Sequence, residues 1–252
     1  MKRIVLVSFI LPLLFQAVDA QPNLKDSAAS VWFLQPHISL QAPQGDMKER
    51  FYPNTAVGFG LFRKTDANWL FGIEMSYLFA EKVKNEDKLL SNIITSEGYV
   101  IDQTGVFANI HFRERGFYAQ VKTGKIIPTR FGNPNSGLLI MGSLGLLQHK
   151  IRIEVYENTA PQLADDYKKG YDKLTGGPAG SLYVGYMHFS NNKLTNYSIG
   201  AEYIYGATKS LRDYDFVLMG RDETLRGDQL LSLRFTWIIP FYQRLPKDYY
   251  FN

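Results

Sequence analysis

The chain has 252 residues, no cysteine, a formal charge of +4 and an unusual aromatic load of 16 Tyr, 17 Phe and 3 Trp. The missing cysteines exclude a disulfide scaffold, a thiolate metal site and a cysteine nucleophile. A hydrophobic fraction of 45% excludes both a disordered tail and a polytopic helical membrane protein.

Residues 1–20 read as a signal peptide. Lys2 and Arg3 precede the apolar run Ile4 to Phe15, and Val18-Asp19-Ala20 offers a cleavage site before Gln21. The run is shorter than the roughly 20 residues that a membrane helix needs. Its removal leaves 26 basic against 24 acidic residues. With no basic cluster interleaved with stacking aromatics, nucleic acid is not an expected partner. Export through the general secretion pathway is expected, with residues 21–252 as one domain.

Past the signal, two-residue alternation recurs. Trp69, Phe71, Ile73, Met75, Tyr77 and Phe79 share one parity, while Leu70, Gly72, Glu74, Ser76, Leu78 and Ala80 share the other. Val57, Phe59 and Leu61 alternate with Gly58, Gly60 and Phe62, and Phe117, Ala119 and Val121 alternate with Tyr118, Gln120 and Lys122. The same holds for Tyr197 to Tyr205 and for Leu231, Leu233, Phe235 and Trp237. Segments of about ten residues with one aromatic-rich face are the signature of an antiparallel transmembrane β-barrel. A soluble β-sandwich would instead carry charge on its outward face.

Short connections fall at 64–68, 113–116 and 191–196. Long polar ones fall at 42–53, 84–98, 128–137, 158–180 and 207–228. Nine segments are clear, and bacterial barrels use an even number. Splitting 138–158 at Gln148-His149-Lys150 gives ten strands, the favoured count. Eight follow if 28–41, which contains Pro36, is a lead-in outside the wall and 138–156 stays whole.

Metal and cofactor patterns are absent, and none is expected. Asp165-Asp166 and the pair Asp213 and Asp215 read as solvated charge rather than calcium ligands. His188-Phe189-Ser190-Asn191, with Glu202 downstream, resembles the His-x-Ser-Asn pattern of outer-membrane lipid A deacylases. That resemblance implies Ser190 as nucleophile, His188 as base and Glu202 as its orienter. Parity puts Glu202 on the inner face, however, and an expected periplasmic chain end makes the strand carrying Ser190 run downward, with the 191–196 turn on the periplasmic side, so a non-enzyme is the expectation. Glu202 and Arg234 share inner parity at similar depth, which predicts an interior ion pair. Glu74, Lys122, His111 and Arg113 are expected to join it, because an unpaired buried charge is costly.

Ser136-Gly137, the stretch Gly145 to Ile151 and the stretch Asp166 to Gly176 resemble a family of small outer-membrane barrels from Bacteroidota. Tyr197 to Glu202 and Trp237 to Tyr242 are similar in style. Relatives in that group include accessory subunits of envelope machines for outer-membrane protein assembly or export, so the resemblance implies such a role and protein partners. Asp166, Tyr167, Lys168, Tyr171 and Asp172 mix aromatic and charged groups, as a docking loop would. The expected function is therefore a structural or accessory subunit in the outer membrane of a Gram-negative bacterium, in contact with lipid and protein. A lipid A hydrolase and a narrow channel or small-ligand binder are the alternatives.

Overall fold

The computed structural model describes residues 28, 30–129, 133–190 and 195–241. The expected signal segment, Asn191 and Tyr242 lie outside them. Ten strands form one antiparallel sheet: β1 (Val31–Leu34), β2 (His37–Gly45), β3 (Asn54–Lys64), β4 (Trp69–Ala80), β5 (Ile110–Pro128), β6 (Gly137–Val155), β7 (Thr175–His188), β8 (Tyr197–Ser210), β9 (Arg226–Trp237) and β10 (Ile239–Phe241). Consecutive strands pair from β3 through β9, and the ends meet through β9–β2 and β10–β1. The sheet is a closed barrel, which leaves no edge strand open.

The ten strands make eight staves. β1 and β2 both pair with β3, and β9 with β10 runs beside them in one register. Pro36 lacks the N–H that would join β1 to β2. Gln35 and Gly60 exchange backbone hydrogen bonds of 2.8 and 3.1 Å beside it, and Trp237 N–H donates to Pro36 O at 2.9 Å. Residues 31–45 are therefore wall, not a lead-in.

Two expected turns are absent. Residues 113–116 lie inside β5 and residues 148–150 inside β6, which pair without a break from Ile110↔Val155 to Pro128↔Gly137. These two staves are the longest, at 19 residues each. Residues 128–137 were expected as an external loop. Their described part, 128–129 and 133–137, lies instead at the end that holds residues 65–68, 189–190 and 195–196. Lys64 Nζ donates to Asn135 Oδ1 at 2.7 Å, Asn68 Nδ2 to Pro134 O at 2.9 Å, and Ser136 Oγ to Phe189 O at 3.2 Å. The opposite end carries the connections 46–53, 81–109, 156–174 and 211–225. Those hold two short helices, α1 (Met47–Arg50) and α2 (Glu86–Leu89), and three 3-10 turns.

Alternation becomes inside and outside. On β4, Phe71, Ile73 and Met75 are about half exposed or more, while Leu70, Glu74 and Leu78 are buried. The same outward band runs through Ile38, Leu40, Phe59, Leu144, Ile199, Leu231 and Leu233. Its lower rim holds all three tryptophans: Trp32, Trp69 and Trp237. Arg63 lies 5.8 Å from the ring of Trp32, and Lys125 lies 5.3 Å from that of Trp69. Tyr77, Phe79, Tyr203 and Tyr205 form the upper rim. From Trp69 to Phe79 the rise is about 33 Å along the strand, or about 25 Å along the axis at a tilt of about 40°. That matches the lipid-facing band of a transmembrane barrel, about 25 Å tall between aromatic girdles.

Close packing inside explains some wall glycines. A Cβ on Gly72 would stand 2.4 Å from the Phe62 ring, and one on Gly200 would stand 2.8 Å from that of Tyr183. Eight staves leave a lumen that side chains fill.

Candidate functional site: the charged lumen and the loop crown

The lumen is layered. At the termini end, Val31, Phe33, Phe62, Leu70, Ile126, Leu139, Met141, Tyr183, Met187, Phe189 and Ile238 form an apolar plug. Phe33 stacks on Phe62 with ring centroids 5.9 Å apart.

Above it lie four charges from four staves. Arg234 Nη1 is 2.7 Å from Glu74 Oε1 and 3.0 Å from Glu202 Oε2, and its Nη2 bonds the second Glu74 oxygen. Lys122 Nζ bridges the same two carboxylates at 3.0 and 2.7 Å. Gln120 Nε2 donates to Glu74 at 2.7 Å, and Ser181 Oγ to Glu202 at 2.7 Å. His37 Nε2 lies 2.9 Å from Ser76 Oγ and 4.0 Å from Glu74. The Arg234 guanidinium also sits 6.0 Å over the Tyr183 ring. Two carboxylates and two cations balance, and every one of the four is at most 4% exposed.

A third layer closes the loop end. Asp228 accepts from Arg50 at 3.0 Å and from Thr208 at 2.5 Å, and stands 2.7 Å from His149 Nε2. Glu114 accepts twice from Asn54 Nδ2, at 2.9 and 3.0 Å. Phe51 follows α1 and packs edge-on against His149, with centroids 5.4 Å apart. Met47, Phe51, Leu78, Leu90, Phe112, Leu147, Leu163 and Leu230 then join the larger apolar cluster over this end. The sequence offered no sign of this lid, because α1 spans only four residues.

Glu74, Lys122, Glu202 and Arg234 are thus together, but His111 and Arg113 are not with them. No turn separates residue 113 from residue 122, so odd positions of β5 face outward and even ones inward. Arg113 bonds Glu81 at 2.7 Å and Glu154 at 2.5 Å on the outer surface, and His111 is exposed there.

The deacylase-like trio is dispersed. His188 faces outward, pairs with Tyr197 and lies 5.3 Å from its ring. Glu202 faces inward, five positions further along β8. Ser190 has left the strand, and its N–H donates to Asn196 Oδ1 at 2.5 Å. A nucleophile, base and orienter need mutual hydrogen-bond reach, and a wall stands between these groups.

The expected docking loop divides in two. Tyr171 and Asp172 are buried: Tyr171 packs 5.2 Å from the Phe216 ring, and Asp172 pairs with Arg212. The hydrogen bond to Asp172 lifts the Arg212 guanidinium above its ordinary range. Asp166 and Tyr167 are exposed, Lys168 partly so, and Tyr167 leans on Phe216 with ring centroids 6.4 Å apart. A second exposed surface was missed in the sequence, where it resembled strand. The isolated bridge Ile101↔Phe107 folds residues 99–107 into a hairpin that presents Tyr99, Ile101, Val106 and Phe107. Tyr99 and Phe107 stack at 4.7 Å.

No family model and no curated protein matches the chain. Among solved structures it is similar to Ail, the attachment invasion locus protein of Yersinia pestis, solved with the heparin analogue sucrose octasulfate. There the TM-score is 0.41 at 10% identity, over 83% of this chain and 99% of that one. It is also similar to OprG from Pseudomonas aeruginosa, with a TM-score of 0.33 at 13% identity over 88% and 99%. The third is the outer membrane protein AlkL in lipid bilayers, with 0.34 at 12% over 92% and 99%. At these identities and scores the likeness is one of general outline, and the barrel is established by its own strand register.

Proposed function

We propose that the chain is a non-enzymatic outer-membrane β-barrel of a Gram-negative envelope. In this reading residues 1–20 direct export through the general secretion pathway and are removed. The mature barrel serves as a structural or accessory subunit of a complex that assembles or exports proteins. The observation that carries the reading is an apolar crown above a filled lumen. A lumen packed with paired charges gives a solute no route, and His188, Ser190 and Glu202 have no shared reaction site. The remaining surface for function is the loop end. There Tyr99, Val106 and Phe107 on one hairpin, Tyr167 on a 3-10 turn and Leu218 and Met219 on a second hairpin stand exposed. Apolar side chains clustered on the water side of a membrane protein mark a contact surface. The partner that fits is a protein with a complementary apolar patch.

Isolation of the tagged full chain from its own envelopes in a gentle detergent tests this. A stoichiometric partner is expected to co-purify, and Tyr99→Ser with Phe107→Ser is expected to release it while the barrel stays folded. A barrel that emerges alone under several gentle detergents contradicts the accessory role.

A further inference from the structure

The outer face of β5 and β6 carries a charge arrangement that a sheet does not tolerate without a counter-ion. Just beyond the apolar band, Arg115 stands opposite Lys150 and Arg113 stands opposite Arg152. Like charges directly across a strand pair repel, and here two such pairs are stacked on one face. Two carboxylates answer them. Glu81 lies 2.7 Å from Arg113 and 3.4 Å from Arg115, and Glu154 lies 2.5 Å from Arg113 and 2.7 Å from Arg152. Lys150 has no carboxylate partner among the described residues. Four cations against two carboxylates leave a local positive surplus.

Position decides what it is for. Outward residues near the loop ends of other staves include Gln44, Thr55, Pro178, Ala207 and Gln229, which are uncharged, with Lys209 as a single cation on β8. Among the described strands, cations stand opposite cations only on this pair of staves. Directly below them on β6, Leu144 and Leu146 are 77% and 61% exposed. The residues opposite this pair are Gly180 and Pro178, so the strip is smooth as well as apolar. Beside the cations a groove of about 600 Å³ is lined by Lys150, Arg152, Lys168 and His111 together with three carboxylates, of which Glu154 pairs with Arg152, Asp172 pairs with Arg212 and Glu157 stands further out. Cations at the head-group level above an apolar strip match one chemistry, a phosphate attached to acyl chains. Guanidinium forks bind phosphate oxygens in bidentate geometry, and lysine adds a point charge.

We propose that this face binds the phosphate of a phosphorylated glycolipid in the outer leaflet, with acyl chains along Leu144 and Leu146. The site rests on the membrane-spanning reading and on the loop end facing outward. Arg115 and Lys150 hold the phosphate nearest the membrane. Arg152 and Lys168 reach oxygens further out.

The test is titration of the purified full-length barrel, reconstituted in phosphatidylcholine vesicles, with bis-phosphorylated lipid A, dephosphorylated lipid A or inorganic phosphate. Phosphorylated lipid A is expected to bind best. Lys150→Gln with Arg152→Gln is expected to weaken it about tenfold or more, the loss of one or more charge-assisted hydrogen bonds. Lys209→Gln, at the rim of another stave, is expected to change nothing. Removing like-charge repulsion does not hinder folding, and migration of unheated samples on gels verifies that. Equal binding of dephosphorylated lipid A, or an unaffected double variant, overturns the site. Binding of inorganic phosphate as tight as that of the lipid also overturns it, in favour of a free-anion site. A barrel that fails to enter the vesicles counts against the membrane reading itself, so the two failures are distinguishable.

Discussion

Arg234→Met is expected to destabilise the folded barrel by about 3–5 kcal/mol. Arg234 is 3% exposed and holds Glu74 and Glu202 together, with Lys122 as their other cation. Methionine fills much of the same volume, so the effect reads the charge rather than a cavity. It leaves two buried carboxylates to one lysine. An internal control lies on the same stave: Arg226 pairs with Asp222 at the rim and is partly exposed. Loss of this one rim pair, in which Asp222 is buried, is expected to cost less than loss of the cation that two interior carboxylates share. Urea titration of both variants in vesicles, followed by tryptophan fluorescence, gives the comparison. A shift for Arg234→Met no larger than that for Arg226→Met contradicts the interior network.

The neighbouring residue makes the opposite demand. Leu233 faces outward, is 69% exposed and lies midway between Gln229 and Trp237 on β9. In a bilayer, Leu233→Arg is expected to cost about 2–4 kcal/mol, the price of an arginine near the midplane. In a water-soluble sandwich a surface change of that kind stays within about 0.5 kcal/mol. The same urea titration of the vesicle-bound protein measures it. A near-zero effect contradicts lipid contact along this face.

Parity made the wall legible in the sequence, because lipid and a packed lumen are two solvents that sort residues at period two. Trp69 to Ala80 read correctly residue by residue, and the meeting of Glu202 with Arg234 followed from the same rule. The misplaced turns have one cause. β5 and β6 run past the membrane, and where they leave it their outward residues switch from apolar to charged. Arg113-Glu114-Arg115 and Gln148-His149-Lys150 therefore looked like polar turns, although Glu114 and His149 are fully buried. Inserting a turn at 113–116 also reset the parity of β5, which moved His111 and Arg113 to the wrong face. The segment 128–137 was misplaced for a different reason. Its polar residues bond to Lys64, Asn68 and Phe189 of neighbouring staves, and such contacts exist only once the ring has closed.

The crown was less legible than the wall. Its cluster joins Met47, Leu90, Val100, Leu163 and Tyr171 from three separate stretches of chain, and no local period links them. The hairpin at 99–107 has strand-like residues, but its one bridge, Ile101↔Phe107, lies within itself, and Gln103 N–H donates to Thr159 O of a neighbouring loop. The stacked like-charge pairs on β5 and β6 needed the register of two strands to be seen at all.

The central claim is that this barrel is a filled wall whose function lies at its surface. Conductance of the purified protein in planar bilayers tests it most directly. With the quartet at Glu74, Lys122, Glu202 and Arg234 between two apolar plugs, the account predicts membranes that take up protein, verified by recovery from the bilayer, and stay electrically silent. Stable, stepwise openings of the wild-type protein would contradict it.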